Sequence, residues 1–566
     1  MLDLLLLTAI LPLFSAGCLF LASLLFLKLG IERGRLGASI VSLVVAVAVL
    51  VLIFVLRAKD DASTVLSSWD SSRLAESAVR LELNAWLWPL GLILSLVTCC
   101  LLLADVGRIH NASPLLAAIS LALLAAGLAA LWSANPLTTI IGWALYDMFL
   151  LLGQIAADTK NEAITRRLAL SSMSVLLLWA GVLAAGNGTG SVQWSLMPPG
   201  GAKMTLWILA GLLRLGAYPF HFSTAGTATS SSPLFATFLL GPVMGWALWI
   251  RLIRVSGPVL ADHAWVVTPA LLTLAVGGFL GWASKSRSEG RSWILMGISG
   301  AVLLAVVLAS LPVGNQGMVE DVVLPIMTLS AAGWMLGATV ILLGGGFDLS
   351  YALRRETLPL SIPSFLGALS VIGIPPTLGF VTASSLMRGL TRAEHWGWRA
   401  SFFVGQLFLV ASVTRWLLSS GPPQRSETDG DSLFGRMAHD AGLIGPALLL
   451  VAVGAAPPLL FAGSTQLSLR FLLTEPGLIG WLLWGGALLI GGILGWQDAY
   501  LRPRVSLSLD VLQDILRLDW AWALLVGALE QGLTVLRAVD DVLGGRGALL
   551  WSFIMLLLLI LVWRAR

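Results

Sequence analysis

Gly211-Leu212-Leu213-Arg214-Leu215-Gly216-Ala217-Tyr218-Pro219-Phe220-His221 sits inside a long apolar run, about 204–231, and breaks it. Proline removes a helix hydrogen bond and crowds the preceding turn, and a Ser/Thr-rich stretch from Ser223 to Ser232 follows. Carbonyls freed in this way at membrane depth survive only where protein or trapped water satisfies them. A second run, about 357–387, is interrupted in the same manner by Gly373-Ile374-Pro375-Pro376, ahead of Gly379-Phe380. Paired interruptions in matching places point to an inverted-repeat transporter. The two fall in the seventh and twelfth of the apolar runs, which predicts two five-helix repeats, spans 4–8 and 9–13.

Outward from these breaks, about sixteen spans are predicted, at roughly 4–27, 36–56, 85–105, 114–133, 137–157, 168–186, 204–231, 233–255, 264–284, 292–311, 322–345, 357–387, 400–419, 441–463, 477–496 and 547–563. Hydrophobic residues make up 57% of the 566 positions and charged residues 11%, with a mean hydropathy of +0.90. A soluble domain carries about a quarter charged residues, so the fold class is an all-α polytopic membrane protein whose first partner is the lipid bilayer. Helices are expected because lipid offers the backbone no hydrogen-bond partner. The first run, from Leu4 to about Leu27, is too long for a cleaved signal peptide and reads as the first span.

Loop charges give an orientation. Loops after odd-numbered spans hold Lys28, Arg33 and Arg35, then Arg108, then Lys160, Arg166 and Arg167, then Lys285, Arg287 and Arg291, then Arg354 and Arg355. Loops after even-numbered spans are poorer in bases, apart from 57–80 and the pairs Arg251/Arg254 and Arg388/Arg392. That balance predicts an N-terminus outside the cell membrane. Charges such as those from Asp158 to Arg167 read as solvated interfacial groups.

No cofactor chemistry is predicted. Cys18, Cys99 and Cys100 lie in apolar runs, the five histidines are scattered, and neither a Walker motif nor a strand-borne Gly-x-Gly-x-x-Gly occurs. No metal site, cofactor site or catalytic residue is assigned, and the net charge of +4 does not point to nucleic acid. Many of the 24 tryptophans sit near span ends, as in an aromatic belt. Trp246, Trp249 and Trp334 lie deeper and predict a dry interior. After span 15 the pattern changes: from Val505 to Val542, charges recur among apolar residues, with Leu512, Ile515, Leu516, Leu518 and Trp522 near one end. This reads as an amphipathic helix, about 505–542, lying along the membrane, along a partner subunit, or as a plain linker helix.

The stretch around Arg214 resembles the antiporter-like membrane subunits of respiratory complex I and their relatives in Mrp-type cation/proton antiporters and membrane-bound hydrogenases. That family carries a lysine five residues before Pro-Phe-His, then a small-residue run and another proline. Here Arg214, Pro219, Phe220, His221 and Pro233 fall on the frame. Ile141-Gly142-Trp143 resembles the family's Gly-Trp-Glu fifth helix, and the stretch from Gly373 to Phe380 its broken twelfth helix. The amphipathic segment followed by Gly547-Ala548-Leu549-Leu550-Trp551 resembles the lateral helix and final span of its longest members. The resemblance implies about fourteen core helices with two inverted five-helix repeats, plus that C-terminal extension. In residue ranges it implies three N-terminal helices in 1–112, repeats in 113–256 and 257–420, and C-terminal helices in 421–566. It also implies other membrane subunits as partners, and protons or monovalent cations as cargo, in a prokaryotic cell (inner) membrane.

The chain departs from the family along its polar axis. The fifth-helix Glu corresponds to Ala144, and the lysines of helices eight and eleven fall near Val243 and Leu336. The charged residue of helix twelve falls at Ala383. The seventh-helix cation remains, as Arg214. A buried lysine can give up its proton, whereas a guanidinium cannot be deprotonated in a protein. Arg214 can therefore bias neighbouring protonation but cannot relay a proton. Three proton-path candidates result: Arg214; Asp147, three residues past Ala144 and expected on roughly the same helix face; and His221. Asp147 and Arg214 form either a coupled pair or a static one that neutralises two buried charges. His221 is either a proton switch or a donor to carbonyls freed by the break. Arg415 resembles the family's arginine ending helix thirteen, or is a side chain snorkelling to the headgroups. Two functions compete: an ion-translocating subunit of a complex I-like or Mrp-like assembly whose own proton path is incomplete, and a non-conducting scaffold of such an assembly. Any NADH or quinone reaction would belong to partner subunits. An unrelated secondary transporter is a third, weaker reading.

Overall fold

The computed structural model describes residues 4–29, 33–57, 63–69, 77–107, 113–156, 161–186, 192–197, 200–221, 234, 240–256, 264–310, 319–344, 358–418, 433–460, 468–543 and 555. The stretch 223–232, Pro233 and, apart from residue 555, the final span at about 547–563 lie outside these residues.

The helices follow in chain order: α1 (Leu4–Leu29), α2 (Arg33–Leu56), α3 (Trp88–Val106), α4 (Pro114–Leu131), α5 (Pro136–Ala156), α6 (Asn161–Ala185) and α7 (Ala202–Leu215). Next come α8 (Pro242–Ser256), α9 (Val267–Ala283), α10 (Arg287–Ser310) and α11 (Leu324–Leu343), the last entered through a π turn at Val319–Val323. Beyond it lie α12 (Leu358–Ile372), α13 (Gly379–Ala393), α14 (Trp396–Leu418), α15 (Leu433–Ala455), α16 (Leu469–Thr474), α17 (Gly477–Trp496), α18 (Asp498–Arg517) and α19 (Asp519–Leu543). Among the described residues twelve helices are long and apolar enough to cross a membrane. The protein is an integral membrane protein.

One element was not expected. Residues 57–80 read as a loop, yet β1 (Ser63–Trp69) and β2 (Ser77–Glu82) form an antiparallel hairpin. Its anchor is Leu81, fully buried, with the Glu82 amide donating to Trp132 O at 2.7 Å and Ala134 to Arg80 O at 2.9 Å. Seven- and six-residue strands are too short to register in a search for spans.

Small residues set the closest helix contacts, because a membrane offers little hydrophobic drive and helices associate through tight packing. A Cβ on Gly277 of α9 would collide with the Gly297 backbone of α10, and one on Gly278 would lie 2.6 Å from the Leu409 amide of α14.

Both predicted breaks are present and share one construction. α7 ends at Gly216 (φ +67), whose amide donates to Leu213 O while Ala217 donates to Leu212 O. α12 ends at Gly373 (φ +80), whose amide donates to Ser370 O while Ile374 donates to Leu369 O. This left-handed closure suits glycine and satisfies the last carbonyls of each half-helix. Three residues after each glycine comes a cis proline, Pro219 or Pro376. A turn bridges it, from Phe220 N to Ala217 O and from Thr377 N to Ile374 O. Neighbouring helices take up further freed groups: the Tyr218 amide donates to Thr273 Oγ1 of α9 at 2.9 Å, and the Leu378 amide to Leu450 O of α15 at 2.8 Å.

The chain divides into two compact units, Met1–Arg502 and Pro503–Arg566. The amphipathic segment expected at 505–542 is two helices rather than one. The second part of α18 ends at Arg517, Leu518 adopts φ +57, and α19 begins at Asp519.

Candidate functional site

α5 buries one face, carrying Trp143, Tyr146, Asp147, Leu150 and Gln154. The spacing of these residues is that of a helix with about 3.6 residues per turn. Arg214 closes the last turn of α7, one residue before Leu215 and the Gly216 cap. The two meet: Arg214 Nη1 lies 2.7 Å from Asp147 Oδ1 and donates a hydrogen bond to Oδ2 at 2.8 Å. Both side chains are buried, at 4% and 10% exposure. One nitrogen serves the whole contact. Arg214 Nε and Nη2 have no hydrogen-bond partner among the described residues. The guanidinium lies instead over the rings of Trp143, at 4.9 Å, and Tyr146, at 5.7 Å. A desolvated guanidinium gains about 2 kcal/mol from such a ring face, which offsets part of what its unpaired N–H groups lose.

Two sequence expectations need correction here. Ala144 is exposed while Asp147 is buried, so they do not share a face. Three residues leave an offset of roughly 60° on a helix, enough to carry Ala144 past the edge of the buried arc. Arg167, expected as a solvated interfacial charge, is 4% exposed. It interacts electrostatically with Tyr146, Asp147 and Arg214. The physical reason is that α6 begins at Asn161, not near 168, so Arg167 lies in its second turn. There it falls in phase with the buried Ile164, Leu170, Ser171, Ser174 and Leu178. That 3-and-4 spacing was the available signal. The cluster thus holds two guanidiniums and one carboxylate.

His221 is 1% exposed, with Nδ1 3.2 Å from the carbonyl of Pro219. Its ring stacks on Tyr218 at 5.4 Å and lies 5.1 Å from Trp293 of α10. This geometry suits a donor to a carbonyl at the break.

The positions vacated on the polar axis are apolar and buried: Val243 and Leu336 at 0% exposure, Ala383 at 5%. Trp246 and Trp249 fill the space beside Val243, both fully buried. Trp334 differs from the dry packing expected of it. Its Nε1 donates to Leu295 O at 3.3 Å, and it lines a cavity at the second break.

Two further arginines close helix ends. Arg251, expected in a loop, is 5% exposed and donates from Nη2 to Ala130 O at 3.1 Å and Leu131 O at 2.6 Å, at the C-terminus of α4. Arg415 does not snorkel freely. It donates to Trp282 O and to Ser284 O at the C-terminus of α9, and pairs with Asp498 at 2.9 Å. Arg502 donates to the same carbonyls. Cations are favourable where a helix leaves its last carbonyls unpaired. Arg251→Met should lower stability by about 1.5–3 kcal/mol, the range for buried hydrogen bonds to a charged donor. A thermal midpoint in detergent, unchanged from wild type, would refute that capping role.

No family model matches the chain. Among curated proteins it is 25% identical over 226 residues to NADH-quinone oxidoreductase subunit N of Desulforudis audaxviator, an alignment covering 37% of this chain and 43% of that protein. It is 23% identical over 323 residues to the subunit N of Acinetobacter baumannii, covering 52% and 64%. The chain therefore spans less than two thirds of the length of these two relatives. Among solved structures it matches a chain of the Mrp complex from Dietzia sp. DQ12-45-1b, with a TM-score of 0.72 and 16% identity, over 98% of this chain and 62% of that one. It also matches a chain of the membrane-bound sulfane sulfur reductase, an archaeal respiratory membrane complex, with a TM-score of 0.71 and 16% identity over 99% and 100%. This chain shares the fold of these two membrane-complex chains. Its sequence relatives and its structural neighbours agree with the family to which the motifs around Arg214 and Pro376 point.

Proposed function

We propose that this antiporter-like chain is a membrane subunit of a complex I-like or Mrp-like assembly that moves protons or monovalent cations, coupled to a redox or antiport module on partner subunits. The carrying observation is the buried Asp147–Arg214 pair, set in the last turn of α7 just before the break at Gly216–Pro219. The names of its relatives and structural neighbours support the same reading. Residues 113–256 and 257–420 act as two inverted five-helix repeats, behind three N-terminal helices in 1–112 and ahead of C-terminal helices in 421–566. Support for the repeats comes from the matched breaks and from Arg251 and Arg415, which close the first helix of each repeat from its last. The cell membrane of a prokaryote is the proposed location, with the N-terminus outside.

Its own proton path is incomplete. An arginine, unlike a lysine, is not a proton relay in a protein, and Val243, Leu336 and Ala383 offer no titratable group. Those same three side chains, with Trp246 and Trp249 packed between helices, favour a second reading, a non-conducting scaffold that couples neighbouring subunits. Proton uptake into proteoliposomes separates the two. Under the transport reading the wild type acidifies the lumen, and Asp147→Asn, Arg214→Ala and the double variant Asp147→Asn, Arg214→Met, which keeps the volume and loses both charges, each lower the rate at least tenfold. A double variant that conducts like the wild type would make the pair structural. A wild-type rate no faster than empty liposomes would favour the scaffold.

A further inference from the structure

The cavity at the second break has a volume of about 30 Å³, on a scale where one water needs roughly 10–15 Å³. Its walls come from α10, α11, α12, α13, α14 and α17, and among the described residues no charged side chain lines it. The lining mixes the small groups Gly333, Gly373 and Ala383 with polar ones. Ser330 of α11 is 1% exposed, and its Oγ has no hydrogen-bond partner among the described residues. Ser370 Oγ accepts from the Gly379 amide at 3.1 Å, across the break. Gln406 Nε2 and Trp484 Nε1 both donate to the carbonyl of Ile372, the last residue of α12, at 3.4 and 3.3 Å. Thr382 contributes a further hydroxyl.

A buried hydroxyl without a partner is costly, and a cavity stays dry only when its walls are apolar. Here the room is sufficient for about two waters, and the walls supply the two to four polar groups each water needs. We propose that this cavity is a resident water site, in which water bound to Ser330 Oγ, Thr382 and Gln406 bridges the split between α12 and α13. Among the described residues the lining holds only neutral side chains, so the water completes hydrogen bonds at the break. The inference is independent of whether the chain conducts.

Radiolytic labelling in H2¹⁸O of the purified full-length protein tests it, because hydroxyl radicals formed from bound water oxidise only the side chains beside that water. Trp334 lines the cavity, whereas Trp207 lies outside it and donates from Nε1 to Leu178 O at 3.2 Å; both are buried to a similar degree. The expected result is ¹⁸O incorporation at Trp334 at least fivefold faster than at Trp207. Ser330→Ala and, separately, Thr382→Val should each slow labelling of Trp334 while leaving Trp207 unchanged. Equal labelling of the two tryptophans in the wild type would overturn the proposal. So would a higher thermal midpoint in Ser330→Ala, since that is the sign expected when an unpaired hydroxyl is removed from a dry cavity. Thermal stabilisation by sodium over choline that is lost in Ser330→Ala would replace water with a cation.

Discussion

Arg214→Ala should destabilise the folded protein by about 3–5 kcal/mol, the range measured when one partner of a buried ion pair is removed. The loss comes from what is left behind. Asp147 keeps its buried position and loses both its charge-assisted hydrogen bond and its nearest counter-charge. Arg167 remains within electrostatic reach of that carboxylate and should hold the effect to the lower end of the range. Asp147→Asn fails for the opposite reason, since it leaves Arg214 and Arg167 facing each other without a counter-charge. The double variant Asp147→Asn, Arg214→Met removes both charges and keeps the volume, so it should recover most of the stability that either single change loses. Thermal midpoints by fluorescence-detected size exclusion would measure all of these. If Arg214→Ala melts with the wild type, the pair does not hold α5 to α7. If the double variant is as unstable as the worse single one, burial of charge is not the cause.

The two breaks were legible because glycine and proline act locally. Gly216 and Gly373 need left-handed φ values, and a proline three residues later cannot continue a helix, whatever surrounds it. The meeting of Asp147 and Arg214 was legible for a similar reason, as few ionisable groups sit in spans and opposite charges at depth seek each other. Arg167 reads as a loop base because the apolar run of its span begins only at about 168, and Arg251 is counted among the loop bases by its charge although it falls within the predicted span 233–255. Each nonetheless lies on the buried face of its helix, Arg167 beside Asp147 and Arg251 on the carbonyls ending α4. Ala144 failed at finer scale, where a 60° offset separates buried from exposed. The cavity at Ala383 could not be foreseen at all. It exists only where six helices converge, and no local pattern records the volume that their side chains leave unfilled.

Gly300→Val is the other change expected to have a large effect. A Cβ on Gly300 of α10 would strike the backbone of α9 at Leu274, with the Thr273 carbonyl carbon 2.8 Å away. Backbone cannot swing aside as a flexible side chain can, so α9 and α10 must separate. Overpacking of this kind costs typically about 1–3 kcal/mol and occasionally more. Here it lands on a second structure. Thr273 Oγ1 accepts the hydrogen bond from the Tyr218 amide and itself donates to Pro269 O, so displacing this turn of α9 strips a donor at the first break of its acceptor. Gly300→Val should therefore both lower the thermal midpoint and expose the segment around Tyr218, read as faster hydrogen exchange over 212–221 than over 369–378. Thr273→Val keeps the helix contact and removes only the hydroxyl that accepts from Tyr218 and donates within its own helix, so it should reproduce the exchange effect with a smaller loss of stability. If Gly300→Val destabilises the protein and exchange at 212–221 is unchanged, the first break is held by its own turn and not by α9. A Gly300→Val protein as stable as wild type would mean that the close approach of α9 and α10 can relax without loss.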